Sequence, residues 1–380
     1  MDKVKVMSVF GTRPDAIKMA PLVAELQKCD KIESTVLVTA QHRGLLDSVL
    51  DAFGITPTYD LDIMSAGQTL CEISAKILNG CEKIFKSYKP DLVLVHGDTT
   101  TGMATALAAF YNGIKVAHIE AGLRSHNRWS PYPEEVNRLM IGRICDLHFA
   151  PTKDNAENLI RENIKDNIFI TGNTGIDSIA YTKRENYRFN DTKVNEAIEK
   201  NKKIILMTAH RRENQGQPHR NIFNAVKRLA ANFEDIVFVY PVHPNKVVKD
   251  LAYEVLDNIS NVYLIDPIDI IEMHNLMSRS YLILTDSGGL QEEGPSFKKP
   301  VLVLRTETER PEAEKAGVIS LCGVEEENVY NSVAELLTYP QKYQKMQNAK
   351  NPFGDGKASE RIVAGILYCF GISDTPPCEF

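Results

Sequence analysis

The sequence lacks the motifs that hold the commonest nucleotide cofactors and metals. No G-x-G-x-x-G follows a predicted strand, no G-x-x-x-x-G-K-[ST] is present, and Gly354-Asp355-Gly356 lacks a third glycine. A bound dinucleotide and P-loop phosphoryl transfer are therefore not expected. The nine histidines include no H-x-x-x-H pair and no cluster with cysteine, and no G-x-S-x-G is found. The sequence accordingly predicts neither a metal site nor a hydrolase nucleophile elbow.

Long apolar runs and an excess of positive charge are also missing. No segment approaches the roughly 18 apolar residues that a transmembrane helix needs, and the formal net charge of the 380 residues is −6. This charge argues against a general nucleic-acid binder. With 43% hydrophobic and 25% charged residues, the composition is typical of a globular protein with a large core. We expect two domains, with neither a membrane nor a nucleic-acid partner.

Closely spaced cysteines are absent as well. The seven cysteines are an odd number, widely separated, and they form no C-x-x-C. This pattern is typical of reduced thiols rather than of a disulfide framework. The first predicted strand begins at Val4, which leaves no room for a signal peptide. We therefore expect a cytoplasmic protein.

Predicted strands and helices alternate through most of the chain. Such alternation indicates parallel sheets with helices on both faces. A polar stretch, 183–202, has no clear apolar run and is predicted to link two domains. The predicted strands are 4–10, 34–39, 92–96, 116–120, 147–150, 168–171, 203–208, 236–240, 262–265, 281–285 and 301–304.

The alternation predicts an α/β fold of two doubly wound, Rossmann-like domains. Residues 1–180 form the first domain and residues 200–356 the second. The last segment, 357–380, begins with a helical pattern and is predicted to pack back on the first domain. A cleft between the two domains is the expected place for a ligand.

An anion site is predicted where the first strand ends, in the stretch FGTRPDAIK from Phe10 to Lys18. A strand, a tight glycine turn and a helix N-terminus leave unpaired backbone N–H groups pointing outward. Arg13 and Lys18 add two cations at the same end. The pattern favours a ligand that carries phosphate. The alternative is an ordinary βα turn with two solvated cations.

Acidic residues and a histidine follow other predicted strands. Glu120 comes directly after an apolar strand, where burial of a carboxylate is costly unless the group has a role. Asp98 could instead be a helix N-cap, Glu134 could simply complement a helix dipole, and His210 could be a satisfied histidine at the sheet rim. Three carboxylates and a histidine at strand ends favour proton chemistry.

A second anion site is predicted in the other half of the chain. Ser287, Gly288 and Gly289 open a helix with little side-chain bulk, so that backbone N–H groups come close to a ligand. Glu293 lies one turn further and could bind the hydroxyl pair of a ribose. Two anion sites, one in each domain, suggest that a nucleoside diphosphate is held across the cleft.

Longer motifs occur through the whole chain in one order: 10–14 with 16–21, 39–43, 95–101, 120–124, 130–135, 172–174, 208–214, 240–243, 284–289 with 291–293, 299–305 and 309–313. In these motifs the chain resembles the non-hydrolysing UDP-N-acetylglucosamine 2-epimerases. The resemblance implies a GT-B fold, a homodimer and no cofactor. It also implies reversible inversion at C2 between UDP-GlcNAc and UDP-ManNAc, with ManNAc supplied for cell-surface polysaccharide.

The resemblance implies an elimination mechanism and roles for individual residues. UDP leaves, the C2 proton is removed, and UDP adds back to a 2-acetamidoglucal after reprotonation. Arg13 and Lys18 would bind near the diphosphate and sugar, and His210 would lie beside the leaving UDP. The acid–base candidates are Asp98, Glu120 and Glu134. The remaining substrate-binding positions are Ile268 and Met273 for uracil, Ser287, Gly288 and Gly289 for phosphate, Glu293 for ribose and Arg310 for diphosphate charge. Met273 replaces the usual phenylalanine.

The resemblance further implies a second, activating UDP-GlcNAc beside the active site. Its residues would be Gln41, Glu134, Arg211 and His243. Gly44 departs from the pattern, because relatives usually carry Gln or Glu there. Activation is therefore expected to survive but to need more UDP-GlcNAc.

Three other functions remain open at this stage. A hydrolysing epimerase would release free ManNAc and UDP, and a GT-B glycosyltransferase would need an acceptor site. A regulator that only binds sugar nucleotides would keep the phosphate sites and lose the carboxylates. The joint presence of Asp98, Glu120 and Glu134 speaks against a regulator.

Overall fold

The computed structural model describes residues 3–40, 43–65, 67–308 and 310–380. They form two α/β units: unit 1 is Met1–Tyr181 with Phe353–Phe380, and unit 2 is Thr182–Pro352. Each unit contains one parallel sheet, with seven strands in unit 1 and six in unit 2. The predicted fold class, two doubly wound α/β domains, is confirmed.

In unit 1 the strand order is β3-β2-β1-β4-β5-β6-β7. The chain runs outward from β1 to β3 and then returns to place β4 on the other side of β1. Ligands of open α/β sheets bind at such a reversal, beyond the carboxyl ends of the two central strands. The strands are β1 (Val4–Phe10), β2 (Ile32–Val38), β3 (Tyr59–Asp60), β4 (Leu92–His96), β5 (Lys115–Ile119), β6 (Leu147–Ala150) and β7 (Ile168–Ile170).

Several helices of unit 1 begin at polar caps. The hydroxyl of Thr12 accepts a hydrogen bond from the amide of Asp15, and Thr69 forms a reciprocal capping box with Glu72. Such caps satisfy amides that the first turn leaves unpaired. The helices are α1 (Arg13–Lys28), α2 (Arg43–Phe53), α3 (Leu70–Tyr88), α4 (Thr100–Tyr111), α5 (Glu134–Ile144), α6 (Lys153–Arg161), α7 (Thr174–Asp177) and α8 (Ile179–Thr182).

In unit 2 the strand order is β10-β9-β8-β11-β12-β13, so the reversal lies between β8 and β11. Short 3₁₀ helices occupy Arg212–Asn214 and Gly294–Phe297. The elements are α9 (Thr192–Glu199), β8 (Lys203–Thr208), α10 (Gln217–Asn232), β9 (Ile236–Pro241), α11 (Lys246–Leu256), β10 (Val262–Ile265), α12 (Ile270–Arg279), β11 (Leu282–Thr285), α13 (Gly288–Glu293), β12 (Val301–Val303), α14 (Pro311–Ala316), β13 (Ile319–Leu321), α15 (Glu326–Thr338) and α16 (Pro340–Gln347).

The central strands are apolar along most of their length. Every residue of β4 and β9 is buried, as expected when helices cover both faces of a parallel sheet. Each fully buried aliphatic side chain contributes about 1.5–3 kcal/mol relative to an exposed one. The loops at the carboxyl edges of the two sheets are therefore attached to well-packed strands that position them.

The interpretation of residues 183–202 as a link between two domains is wrong. The segment belongs to unit 2 and contains α9, whose Val194 and Ala197 are fully buried. Asp191 caps this helix through its side chain. The final helix, α17 (Ala358–Cys369), belongs to unit 1 and contacts α1 and α7. None of the helices in the described part of the chain has the length and hydrophobicity to cross a membrane.

Candidate functional site

The turn after β1 requires a glycine. A Cβ atom at Gly11 would overlap the hydroxyl oxygens of Thr39 and Thr101, which contact each other at 3.1 Å. Helix α1 begins after Thr12, its N-cap, with half-buried Arg13 as its first residue. Lys18 lies one turn further along the same helix. The sequence prediction of two cations at this strand end agrees with their positions.

Glu120 lies directly after β5 in an unusual backbone conformation. Its φ of 65° falls in the left-handed region, which is uncommon for residues other than glycine. Both carboxylate oxygens have cationic neighbours. Nζ of Lys18 is 2.6 Å from Oε1, and Nε2 of His96 is 3.0 Å from Oε2. The side chain is only 10% exposed, so this arrangement holds a buried carboxylate between two basic groups.

His96, the last residue of β4, contacts a second carboxylate. Its Nδ1 lies 3.4 Å from Oδ1 of Asp15, whose Oδ2 accepts a hydrogen bond from the hydroxyl of Thr99. Burial alone would lower the pKa of His96, but the charge of Glu120 and the contact with Asp15 outweigh burial and raise it to about 9. Burial would raise the pKa of Glu120, but Lys18 and His96 hold it well below its usual range.

Asp98 is held by a buried arginine. Arg138 of α5 donates a short hydrogen bond to Oδ2 of Asp98, and its Nη1 donates to Oε2 of Glu135 at 3.0 Å. Burial would lower the pKa of Arg138, but Asp98, Glu135 and Glu120 raise it. The N-cap of α4 is Thr99, so Asp98 is not the cap. The Asp98 carboxylate is thus paired with Arg138 at the edge of the site.

The adjacent residues Glu134 and Glu135 have different surroundings. Glu135 is buried, and its carboxylate accepts hydrogen bonds from the amides of Ser125 and His126. Glu134 begins α5 and is half-buried, and no described residue forms a hydrogen bond or ion pair with its side chain. Glu135 therefore stabilises the loop before α5, whereas Glu134 remains available to a ligand.

Sequence reasoning assigned no role to His96 or Arg138. His96 stands in the motif H-G-D directly before Asp98, at a position that a strand end brings to the sheet edge. Arg138 follows Glu135 by one helical turn, a spacing at which oppositely charged side chains meet. Both signals are present in the sequence, but neither distinguishes a site residue from an ordinary one.

In unit 2, His210 follows β8 and Asp286 follows β11. Oδ1 of Asp286 lies 2.9 Å from Nδ1 of His210. Its Oδ2 accepts hydrogen bonds from the amides of His210 and Arg211 at 2.7 and 2.8 Å, and from the amide group of Asn214. Burial would raise the pKa of Asp286, but His210 and these donors lower it. The buried carboxylate thus orients the imidazole.

The predicted phosphate segment begins α13, with Ser287 as its N-cap. The guanidinium of Arg310 lies against Gly288: a Cβ atom there would be 3.0 Å from Cζ, Nη1 and Nη2. Arg310 is buried, and its Nε donates to Oε1 of Glu292 at 2.8 Å. A Cβ at Gly289 would have more room, with 3.7 Å to its nearest neighbour, Oε1 of Glu293. A fixed cation therefore lies beside the helix start.

Glu293 and Met273 lie near a buried histidine. Nε2 of His274 is 3.3 Å from Oε2 of Glu293, and its Nδ1 is 2.5 Å from the hydroxyl oxygen of Thr182. His274 thus contacts one carboxylate oxygen of Glu293, and the other oxygen, Oε1, faces Gly289. Met273 in α12 and Ile268 before it are both half-buried, so both retain surface for a ligand.

The residues implied for an activator site are distributed over both units. Gln41, together with His42 and Glu309 of the motifs, lies outside the described residues. Gly44 belongs to α2 in unit 1. In unit 2, Nε of Arg211 donates to the backbone oxygen of Asp286 at 3.2 Å. The exposed ring of His243 stacks on that of His210, with 5.5 Å between centroids.

Each unit therefore places charged groups at the reversal of its own sheet. Unit 1 carries the carboxylates of Asp98 and Glu120, paired with Lys18, His96 and Arg138. Such a set is suited to proton transfer. Unit 2 carries Arg310, backbone amides and an oriented histidine, a set suited to an anion.

Comparison with known proteins identifies the family of this chain. The family model described as UDP-N-acetylglucosamine 2-epimerase matches residues 24–367. The UDP-N-acetylglucosamine 2-epimerase of Bacillus subtilis is 54% identical over 381 residues, covering 100% of this chain and 99% of the relative. The Escherichia coli K12 enzyme of the same name is 49% identical over 370 residues, covering 96% and 98%.

A solved structure agrees with the sequence relatives. The crystal structure of UDP-GlcNAc 2-epimerase from Neisseria meningitidis, bound to UDP-GlcNAc, matches with a TM-score of 0.86 and 47% identity. The match covers 96% of this chain and 100% of that one. With a family model over most of its length and relatives near half identical, the chain belongs to the UDP-N-acetylglucosamine 2-epimerase family.

Proposed function

We propose that this protein interconverts UDP-GlcNAc and UDP-ManNAc by the non-hydrolysing route and supplies ManNAc for cell-surface polysaccharide. The observation that carries the proposal is the buried, ion-paired carboxylate of Glu120 beside Lys18 and His96. A group held in this way is prepared to exchange a proton with a bound sugar. Relatives support the ligand: the Neisseria meningitidis structure contains UDP-GlcNAc and the S. aureus MnaA structure contains UDP.

The proposed reaction is an elimination followed by addition. The C2 proton has no neighbouring carbonyl, so simple deprotonation is not feasible. Instead, the bond between C1 and the β-phosphate oxygen breaks and its electron pair leaves with UDP. The C2 proton passes to a carboxylate, and a C1–C2 double bond forms in a 2-acetamidoglucal. Protonation of C2 from the opposite face and return of UDP to C1 give the epimer, with no net gain or loss of electrons.

Unit 2 would bind the leaving group. The amides at Ser287, Gly288 and Gly289, with Arg310, would neutralise the diphosphate, because a helix start and a fixed guanidinium both favour negative charge. His210, oriented by Asp286, would donate to the leaving phosphate oxygen. The remaining nucleoside contacts would be Glu293 to ribose and Ile268 with Met273 to uracil.

Unit 1 would carry the acid–base steps. Asp98, Glu120 and Glu134 are the proposed proton donors and acceptors, and Arg13 and Lys18 would stabilise the diphosphate and sugar. Glu134 fits this role better than Glu135, whose oxygens already accept two backbone hydrogen bonds. The chemistry proposed here needs no cofactor.

Turnover in D₂O tests the proposal. Incubation with UDP-GlcNAc alone, followed by NMR, should give UDP-ManNAc with deuterium at C2 of both sugars. Free ManNAc as the main product would instead support the hydrolysing epimerase. Transfer to an added acceptor would support a glycosyltransferase, and binding without turnover would support a regulator. Interconversion that retained the original C2 hydrogen would exclude the elimination route.

We further propose that the protein acts as a cytoplasmic homodimer and that a second UDP-GlcNAc activates it. The activator would contact Gln41, Glu134, Arg211 and His243. The support is the position of Arg211 and His243 directly beside His210 in unit 2. Sedimentation tests the dimer. Addition of traces of UDP-GlcNAc to a reaction started from pure UDP-ManNAc tests the activation.

A further inference from the structure

His96 is enclosed at the end of β4, with a carboxylate facing each ring nitrogen. The side chain is 4% exposed, its Nε2 lies 3.0 Å from Glu120 and its Nδ1 3.4 Å from Asp15. A neutral imidazole has one N–H and one lone pair, so one nitrogen would face a carboxylate with its lone pair. Only the imidazolium presents an N–H to both carboxylates. The two neighbouring carboxylates therefore favour a positively charged ring.

We propose that His96 is a positioning residue that remains charged at neutral pH and holds Glu120 ionised and oriented for proton transfer. This inference rests on the proposed function, because it concerns a group of the same site. It adds a residue that the motifs left without a role. Glu120 accordingly enters the reaction as a carboxylate, ready to accept a proton.

The backbone of Glu120 supports a positioning role. A φ of 65° is a conformation that a glutamate adopts only when its surroundings impose it. Here Lys18 holds one carboxylate oxygen and His96 the other. Loss of either contact would free the side chain to leave this strained position.

The described charged groups around His96 come from several elements of unit 1. Helix α1 contributes Asp15 and Lys18, the loop after β5 contributes Glu120, and α5 contributes Arg138, which is already bound to Asp98 and Glu135. His118 of β5 is also near, but burial lowers its pKa to about 3, so it is neutral. Without the charge of His96, Lys18 would remain as the cation paired with Glu120 among the described residues.

The test compares His96→Gln with a matched control, His148→Gln. His148 is equally buried, lies on β6 and contacts no described carboxylate within ion-pair distance. Loss of a nearby opposite charge raises a carboxyl pKa by about 1–3 units. In H96Q, the pH below which kcat falls should therefore rise by about 1–3 units. KM should change little, and activity should be partly restored at pH 8.5.

The control variant should keep the wild-type pH profile. A purely structural role of His96 would instead lower kcat equally at every pH, and an unshifted acid limb in H96Q would overturn the proposal. His96→Asn provides a second variant if H96Q does not fold.

A measurement on the unmodified protein is independent of activity. Burial alone would lower the pKa of His96, but its two carboxylate neighbours raise it to about 9. In ¹⁵N-histidine spectra of the full chain without ligand, His96 should remain an imidazolium at pH 7–8, while His118 and His148 remain neutral. A neutral His96 at pH 7 would disprove the inference even if the enzyme were active. A charged His96 in a chain without epimerase activity would disprove only the proposed function.

Discussion

Nδ1 of His210 lies 2.9 Å from Oδ1 of Asp286, a fully buried carboxylate at the end of the adjacent strand. Three donors from the segment 210–214 hold the other oxygen, so the carboxylate cannot rotate. The contact places the Nδ1 proton toward Asp286 and leaves Nε2 for a ligand. An oriented histidine of this kind can donate a proton to a leaving phosphate without first reorienting.

The Asp286→Asn variant tests this relationship. The amide oxygen can still accept from the backbone, but the negative charge that orients the His210 ring is lost. We expect kcat to fall by about 10–100-fold, with a small change in KM, and His210→Gln to show a similar loss. The double variant should be little worse than either single one. Additive losses would show that the two residues act separately. Asp235→Asn, an exposed carboxylate paired with Lys203, is the control and should behave as wild type.

The three proposed acid–base residues can be tested by amide substitution. Asp98→Asn, Glu120→Gln and Glu134→Gln should each lower kcat by about 10²–10⁴-fold, because shape is kept and proton transfer is lost. Binding of UDP-GlcNAc, measured by calorimetry, should persist. Glu135→Gln should mainly lower Tm, since this buried residue binds Arg138 and two amides. A near-normal kcat for Glu120→Gln would remove Glu120 from the mechanism.

A single methyl group should weaken the proposed diphosphate site. In Gly288→Ala the new Cβ would lie 3.0 Å from three guanidinium atoms of Arg310 and displace them. Hydrogen bonds to charged groups contribute about 1.5–3 kcal/mol, so UDP should bind about tenfold more weakly or worse. Gly289→Ala is the matched control, because its Cβ has 3.7 Å to the nearest atom. Equal UDP affinity in both variants would contradict the placement of Arg310 at the phosphates.

Buried neutral histidines should make the protein sensitive to acid. Burial lowers the pKa of His118 to about 3 and that of His148 to about 4. Between about pH 6.5 and 4 the unfolded chain binds protons at these residues and the folded chain does not, so the free energy of unfolding falls as pH falls. Each contributes roughly 1 kcal/mol per pH unit. In the His148→Gln variant, Tm should therefore fall less steeply than in the wild type as the pH decreases. An unchanged dependence of Tm on pH would show that His148 is protonated in the folded protein.

His96 should act on stability in the opposite direction. Its folded pKa of about 9 lies above the unfolded value of about 6.5, so its contribution is complete below about pH 6.5 and is lost as pH rises toward 9.

The proposed activator site can be examined at Gly44. A glutamine side chain there would supply a hydrogen bond that glycine cannot, worth about 0.5–1.5 kcal/mol, or a 2- to 13-fold change in affinity. Gly44→Gln should therefore lower the UDP-GlcNAc concentration needed for activation. The measurement is the reverse reaction from pure UDP-ManNAc with small additions of UDP-GlcNAc. Full speed without any addition would mean that the chain has no need of the activator.

The strands were predictable because their apolar runs are continuous. Val4–Phe10, Leu92–His96 and Lys203–Thr208 agree with the predicted bounds. The strands Tyr59–Asp60 and Ile319–Leu321 were not predicted, because segments of two or three residues are too short to show a hydrophobic periodicity. Helix α9 was missed for a related reason: only Val194, Ala197 and Ile198 are apolar among its eight residues.

The site was predictable only where residue type and chain position coincide. Glu120 was recognised because a carboxylate directly after a buried strand is costly. The contacts of His96 with Asp15 and Glu120 were not, because they join residues 81 and 24 positions apart across the sheet. Asp286 lies within one of the sequence motifs, but its ion pair with His210 forms only because β8 and β11 are neighbouring strands.

The return of residues 353–380 to unit 1 affects how the protein is made. The carboxylate of Asp177 accepts hydrogen bonds from the backbone amides of Ala358 and Ser359. A residue from the first half of the chain thus stabilises the start of α17. All of unit 2 is synthesised before that helix emerges, a delay of roughly ten to thirty seconds at 5–20 residues per second. During this time the surface of α1 that α17 covers is exposed on the ribosome. The packing of unit 1 is therefore completed only after unit 2 has been synthesised.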